Sequence, residues 1–176
     1  MASTADLLLD GYARIAEETR AILDGLSPAL LTYRIDPSAN TIAWLIWHLT
    51  RIEDDHLAAA FGTGQVWVDD GWATRFALPF PDDVHGYGQT PADVAQVQPS
   101  PGDLLGYFEA VHARSVELLA DLRDPDLDRV VDTRWDPPVT LGVRLVSVLA
   151  DALQHVGQAG FVRGVAERHT ATPDSS

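Results

Sequence analysis

Residues 140–168 read TLGVRLVSVLADALQHVGQAGFVRGVAER. Stepping by three and four picks out Leu141, Leu145, Val148, Ala152, His155, Ala159, Val162 and Ala166, an apolar stripe at helical period broken only by His155. Asp151 precedes that histidine by four positions, so on a helix the carboxylate and the imidazole share a face about 6 Å apart. The spacing therefore predicts an amphipathic helix that turns an Asp-His pair inward.

A second inward histidine is predicted from Ile42 to Leu49, IAWLIWHL, where His48 is the polar residue in an apolar run beside Trp44 and Leu45. Burying a polar group without a partner costs a few kcal/mol, so two such histidines in one core need an explanation. Convergence on a metal ion is one. The alternative is that each is a satisfied core residue, with Asp151 accepting a hydrogen bond from an imidazole.

The 176 residues suit one domain, and 46% hydrophobic content is that of a globular chain. Twenty-six acidic residues face twelve arginines and no lysine, a formal net charge of −14. Such a surface repels phosphate backbones and anionic lipid, so nucleic acid and membrane are not expected partners. No apolar run approaches a membrane span, and MASTADLLLDGY lacks the basic region of a secretory signal, which gives a cytoplasmic expectation. Without cysteine there is no disulfide, protein thiolate or cysteine zinc site, so any thiol chemistry needs a thiol brought by a ligand.

Cap and breaker residues divide the chain into four long helices. The first covers 4 to 25, with Ser3 or Thr4 as N-cap and Gly25 at its end. The second starts at Asn40 or Thr41 and runs to Phe61, stopped by Gly62 and Gly64. From 62 to 99 the helical period is lost, apart from a turn or two after Thr90-Pro91. Trp67, Trp72, Phe76 and Phe80 in that stretch suggest a segment packed on the body, as core cover or as a lid. Ser100-Pro101-Gly102-Asp103 opens the third helix, which ends at Asp124-Pro125, and 126–139 form a connector with an extended piece at Arg129 to Trp135. The expected architecture is all-α, a four-helix bundle with a long crossover between helices 2 and 3, occupying 1–168 and followed by a disordered tail at 169–176.

With His48 in NTIAWLIWHLTRIEDDH, the motif D151-x3-H155-x-G157-Q158 and R163-G164 behind it, the chain resembles the DinB/YfiT-like superfamily of metal-binding four-helix bundles, over nearly its whole length. The nearest likeness is to an actinobacterial-type branch related to the mycothiol-dependent maleylpyruvate isomerases. The resemblance implies a divalent metal, zinc or nickel, held by His48, Asp151 and His155, with water completing the site. Many members have histidine where Asp151 stands, and the isomerase-like members have a carboxylate. Two histidines and one carboxylate with an open position form a catalytic type of site, able to activate water or a low-molecular-weight thiol.

Around the three candidate ligands, Trp44, Asp55 and Gln158 are candidate pocket residues. His56 lies about 12 Å along the helix from His48 and about 80° round it, too far to share an ion. His112, near the inward stripe of the third helix, is the reserve ligand, while His85 and His169 fall in loop and tail. Arg51 and Arg144 are candidates for meeting an anionic substrate, although arginines on so acidic a chain are more often paired at the surface. Gly157, Gly160 and Gly164 suggest close approach of another backbone. Two functions stay open: a metal-dependent transferase, isomerase or hydrolase acting on a small molecule, and a non-catalytic homodimeric bundle joined through its first and last helices.

Overall fold

Ser3 opens α1 (Thr4–Leu23) with a capping box: its hydroxyl accepts the Asp6 amide at 3.1 Å, and the Asp6 carboxylate accepts the Ser3 amide at 2.8 Å. The computed structural model describes residues 2–171. After α1 comes the single turn α2 (Pro28–Leu31), then α3 (Ile42–Phe61), capped by the Thr41 hydroxyl and closed by Gly62 at φ 70°. Three short helices follow, α4 (Val66–Asp69), α5 (Trp72–Phe76) and α6 (Pro91–Val94), and then α7 (Pro101–Ala120), with Ser100 as cap and proline in its first turn. A 3-10 turn at Asp124–Asp128 leads into a two-stranded antiparallel ribbon, β1 (Val130–Asp132) with β2 (Val139–Thr140), and α8 (Leu141–Ala171) completes the described chain.

The four long helices expected from the sequence form the bundle. Each packs on two neighbours, α3 on α8 and α7, and α1 on α7 and α8. Thr4 bonds Asp124 beyond the end of α7 while Arg20 bonds Glu109, so α1 and α7 are antiparallel. Gly11 meets Leu149 and Ile22 meets Gly160, so α1 and α8 are parallel. His48 meets His155 while His56 shares a cavity with Arg144, which makes α3 antiparallel to α8 and hence parallel to α7. Parallel neighbours of 20 residues need a connection that returns along about 30 Å of bundle. That is the structural reason for the long segment between Phe61 and Pro101.

Two charged side chains on α3 hold this crossover. Arg51 is fully buried and donates to the carbonyls of Asp82 (3.0 Å) and Val84 (3.3 Å) and to Gln65 Oε1 (2.8 Å), with its guanidinium 5.0 Å from the centre of the Trp67 ring. One turn later, the Asp54 carboxylate accepts the amides of Val66 (2.9 Å) and Trp67 (2.8 Å) and the Tyr107 hydroxyl (2.9 Å). Trp67 is thereby sealed into the core, with Trp72, Phe76 and Phe80 half-buried around it. The crossover aromatics are cover for the core.

Several boundaries differ from expectation. Asp24 caps α1 and Gly25 lies beyond it at φ 65°, so the helix ends at Leu23. The segment expected to be irregular contains α4, whose start the Arg51 and Asp54 bonds hold, and α5, which is held by the Arg75–Asp103 ion pair and by Trp72 and Phe76 packing on Tyr107. At the other end α8 continues to Ala171, and His169 Nδ1 lies 2.5 Å from the Tyr33 hydroxyl; residues 172–176 of the expected tail lie outside the described residues. Within the bundle the glycine stripe does not mark a close backbone. A side chain at Gly157 would meet nothing within 4 Å, and one at Gly160 would meet only the Ile22 side chain. Among the described residues no helix is long and apolar enough to cross a membrane.

Glu53 is fully buried between helices, where its carboxylate accepts the Ser115 hydroxyl at 2.6 Å. Burial pushes its carboxyl up to about 7, the neighbouring Asp54 adding to the rise and the Ser115 bond opposing it. The folded chain thus holds this proton more tightly than the unfolded chain does, and this group's contribution to stability falls as pH rises from about 4.5 to about 7. Glu53→Gln keeps an acceptor for Ser115 and removes the titration. Urea unfolding is expected to show the variant gaining on wild type with rising pH, by about 3 kcal/mol near pH 8. A stability difference that stays constant across that range contradicts the assignment.

Candidate metal centre

His48 lies in the half of α3 that is apolar nearly all round, on the face turned to α8, and is 4% exposed. Trp44, one turn earlier, stacks on its ring at 4.6 Å with planes 13° apart. Across the helix pair, the His155 ring meets the His48 ring edge-on at 4.7 Å, and Asp151 stands one turn before His155 with Oδ1 3.5 Å from its Nε2. One ligand atom from each of His48, Asp151 and His155 lies within 4.8 Å of the other two. The three candidate ligands are brought together from two helices.

Both imidazoles are held by their Nδ1 atoms. His48 Nδ1 is 2.5 Å from the backbone oxygen of His85, and because a carbonyl only accepts, the nitrogen carries the proton. Gln158 Oε1 plays the same part for His155 Nδ1 at 3.0 Å, one turn along α8. In each ring this turns Nε2 to the ligand group, where that of His155 faces Asp151 Oδ1 at 3.5 Å. This outer support fixes both tautomer and ring direction, as around metal-binding histidines generally.

The His85 carbonyl reaches His48 only because glycine follows it. Gly86 sits at φ 102°, and a Cβ there would lie 2.7 Å from His48 Nδ1 and 3.0 Å from the Trp44 ring. The Trp44 indole N–H donates to Gln89 Oε1 at 2.6 Å, so the same turn of crossover is fastened at a second point.

Burial pushes the His48 imidazole down to about 4, against the opposing pull of the His85 carbonyl, which leaves it neutral at pH 7. His155 is also lowered by burial, but its bonds to Asp151 and Gln158 outweigh that and raise it. For Asp151 burial acts upward, and the hydrogen bond and charge of His155 overcome it and hold the carboxyl below its usual range. Asp151 Oδ2 is buried with no hydrogen-bond partner among the described residues. An orphaned carboxylate oxygen beside two convergent ring nitrogens fits a divalent cation, and the donor set of two imidazoles and one carboxylate suits zinc and other borderline ions. The group can hold a metal ion.

The other candidates divide. Trp44 and Gln158 touch the two histidines directly, and Asp55 lines a cavity of about 300 Å³ further along α3. His56 is hydrogen-bonded, its Nδ1 donating to Asp55 Oδ2 at 2.9 Å, and it stays outside the ligand group. His112, the reserve ligand, stacks on Phe108 with ring centres 6.0 Å apart and does not join the site. Arg51 is no surface cation at all; the buried bonds already described take it away from any substrate. What sequence reasoning missed is the His85 carbonyl, a backbone group with no residue signature, although Gly86 beside it marks a close approach. It also passed over Asp132 and Arg134 on the connector, which fold back against the site end of α8.

Comparison with known proteins bears on the fold and the family. The chain is similar to a conserved protein from Enterococcus faecalis whose crystal structure superposes with a TM-score of 0.86 at 30% identity, covering 93% of this chain and 96% of that one. No curated protein matches the chain. The family model of the DinB superfamily matches residues 12–159, a span that reaches into all four long helices and includes His48, Asp151 and His155. On that match, the chain belongs to the DinB superfamily.

Proposed function

We propose that the chain is a cytoplasmic metal-dependent enzyme, with a divalent cation, zinc or nickel, held by His48, Asp151 and His155. It acts on a small electrophilic substrate, by transfer or isomerisation, with a low-molecular-weight thiol of the mycothiol type as co-substrate or with water in its place. The observation that carries the reading is the convergence of three donors within 4.8 Å while both Nδ1 atoms are already bound elsewhere. A cation bound there would supply Lewis acidity and lower the proton affinity of a water or thiol brought to it. The absence of cysteine from the chain puts the source of any thiol in the ligand.

The protein's own groups divide the remaining work. The His85 carbonyl and Gln158 orient the two imidazoles, and Trp44 covers the His48 ring and excludes water from the α3 side. Asp151, one-third exposed, stands where the site opens to a cavity of about 410 Å³, within the size range of small-molecule sites. His56 lines that cavity with Nδ1 fixed on Asp55, so its Nε2 is the atom placed to hold or move a proton.

The second reading, a homodimer, draws on the row Val143, Val146, Leu153 and Phe161 on the outer face of α8, each about half exposed or more. Leu7 of α1 is exposed at the same level as Val143, because α1 and α8 run parallel. We propose a second copy as the cover for this row; it is compatible with the metal reading. Sedimentation is expected to show a dimer that Phe161→Glu with Val146→Glu dissociates, and a monomeric wild type would remove the proposal.

Calorimetric titration of metal-stripped protein with zinc and with nickel tests the centre. One ion per chain is expected, with affinity lost in His155→Ala and weakened in Asp151→Ala. Gly86→Ala removes no ligand; displacing the His85 carbonyl should cost roughly 10–100-fold in affinity, with the helical circular dichroism retained. Equal heats for wild type and His155→Ala would end the metal reading.

A further inference from the structure

Beside the metal centre, two cavities share His56, Asp132, Arg134 and Arg144 as walls. Arg144, Asp151 and His155 stand at i, i+7 and i+11 on α8, which puts all three on one face within about 20° of its midline, with Arg144 about 10 Å along the axis from Asp151. Opposite them, antiparallel α3 sets His48 level with His155 and Ala59 about level with Arg144, with Asp55 and His56 between. The cleft thus has a donor cluster at one end and a guanidinium at the other.

Guanidiniums gather at that end, an exception on a chain with 26 acidic residues and 12 arginines. Asp132 Oδ2 accepts Arg144 Nη2 at 2.9 Å, and the same carboxylate accepts the backbone amide, Nε and Nη2 of Arg134 at 3.0, 3.0 and 2.8 Å. One carboxylate faces two guanidiniums, and the Arg134 bonds hold it well below the usual carboxylate range, so it stays ionised. Asp55, bonded to His56 and Gln65 and held by the His56 bond below the usual carboxylate range, adds a second negative charge on the smaller cavity, so two arginines and two aspartates balance there. The Arg144 side chain is 16% exposed, lines both cavities and spends one of its five N–H donors on Asp132. Ile52, Tyr87 and Trp135 supply an apolar wall to the larger cavity, the last two largely exposed at its rim.

We propose that this cleft binds a small organic carboxylate, its anionic head on Arg144 and its apolar body along Ile52 and Trp135, with the reacting end directed at His48, Asp151 and His155. The inference rests on the metal reading above and gives that site its substrate class. Arg134, held in three bonds by Asp132 and largely exposed, fixes the shared carboxylate, while Arg144 is the anchor. The charge balance depends on the ion: Arg134 and Arg144 cancel Asp55 and Asp132, so a divalent cation on Asp151 leaves the cleft one positive charge, which attracts an anion.

Zinc-loaded protein titrated with 4-mercaptobutanoate and with 4-mercaptobutanamide provides the test, since the two probes differ in charge at one end alone. Wild type is expected to bind the acid about tenfold more tightly than the amide, the size of one charge-assisted hydrogen bond. In Arg144→Gln that ratio should fall to about one, with the amide affinity and the affinity for zinc alone unchanged. Equal affinities for acid and amide in wild type, or a preference that survives in Arg144→Gln, overturn the anion site and leave the metal centre standing. Wild type that binds no zinc overturns the metal reading, and this inference with it.

Discussion

A buried arginine organises the part of the molecule that matters for chemistry. Arg51 has no solvent to satisfy it, so its guanidinium must take its acceptors from the crossover, and it finds them in two loop carbonyls and Gln65. Gln65 in turn donates to Asp55, and Asp55 fixes His56 at the cavity wall. Removing one partner from so deep a charge leaves the others unpaired, at a cost of about 3–5 kcal/mol in comparable buried pairs. The constraint is therefore strict: the crossover has to lie where Arg51 and Asp54 can reach it. The same placement lays the His85 carbonyl on His48.

The site is directional before any ion is considered. Nothing in a buried histidine fixes which nitrogen faces which way until a neighbour accepts one proton. Here a backbone oxygen does so for His48, and an amide one turn away on the same helix does so for His155. The two supports differ in kind. Gln158 travels with the helix it serves, whereas the His85 carbonyl depends on a loop about forty residues from its histidine, held in turn by Arg51, Trp44 and the open backbone of Gly86. Orientation of the centre is thus linked to the packing of the crossover.

Much of this was legible in residue order and some was not. Helical period and cap chemistry gave the four long helices, because Ser3, Thr41 and Ser100 announce themselves locally. His48 and His155 stood out as the polar interruptions of apolar stripes, and the four-residue spacing put Asp151 beside one of them. The resemblance to DinB-like bundles supplied their meeting, which no local pattern contains. Short helices α4 and α5 carry no helical repeat because their partners are distant along the chain, Asp54 and Arg51 for α4 and Asp103 and Tyr107 for α5. Arg51 was weighed as a surface cation because an arginine carries no mark of burial; its partners are carbonyls about thirty residues away. His112 fits an inward stripe equally well, yet its ring is spent on Phe108, which shows how little position on a face alone decides.

Zinc K-edge X-ray absorption on protein loaded with one equivalent of zinc tests the central claim most directly, because it reads the donors themselves. The account predicts nitrogen and oxygen neighbours at about 2.0–2.1 Å with the outer scattering of two imidazole rings, falling to one in His155→Ala. A spectrum without imidazole scattering, or one that His155→Ala leaves unchanged, would contradict it.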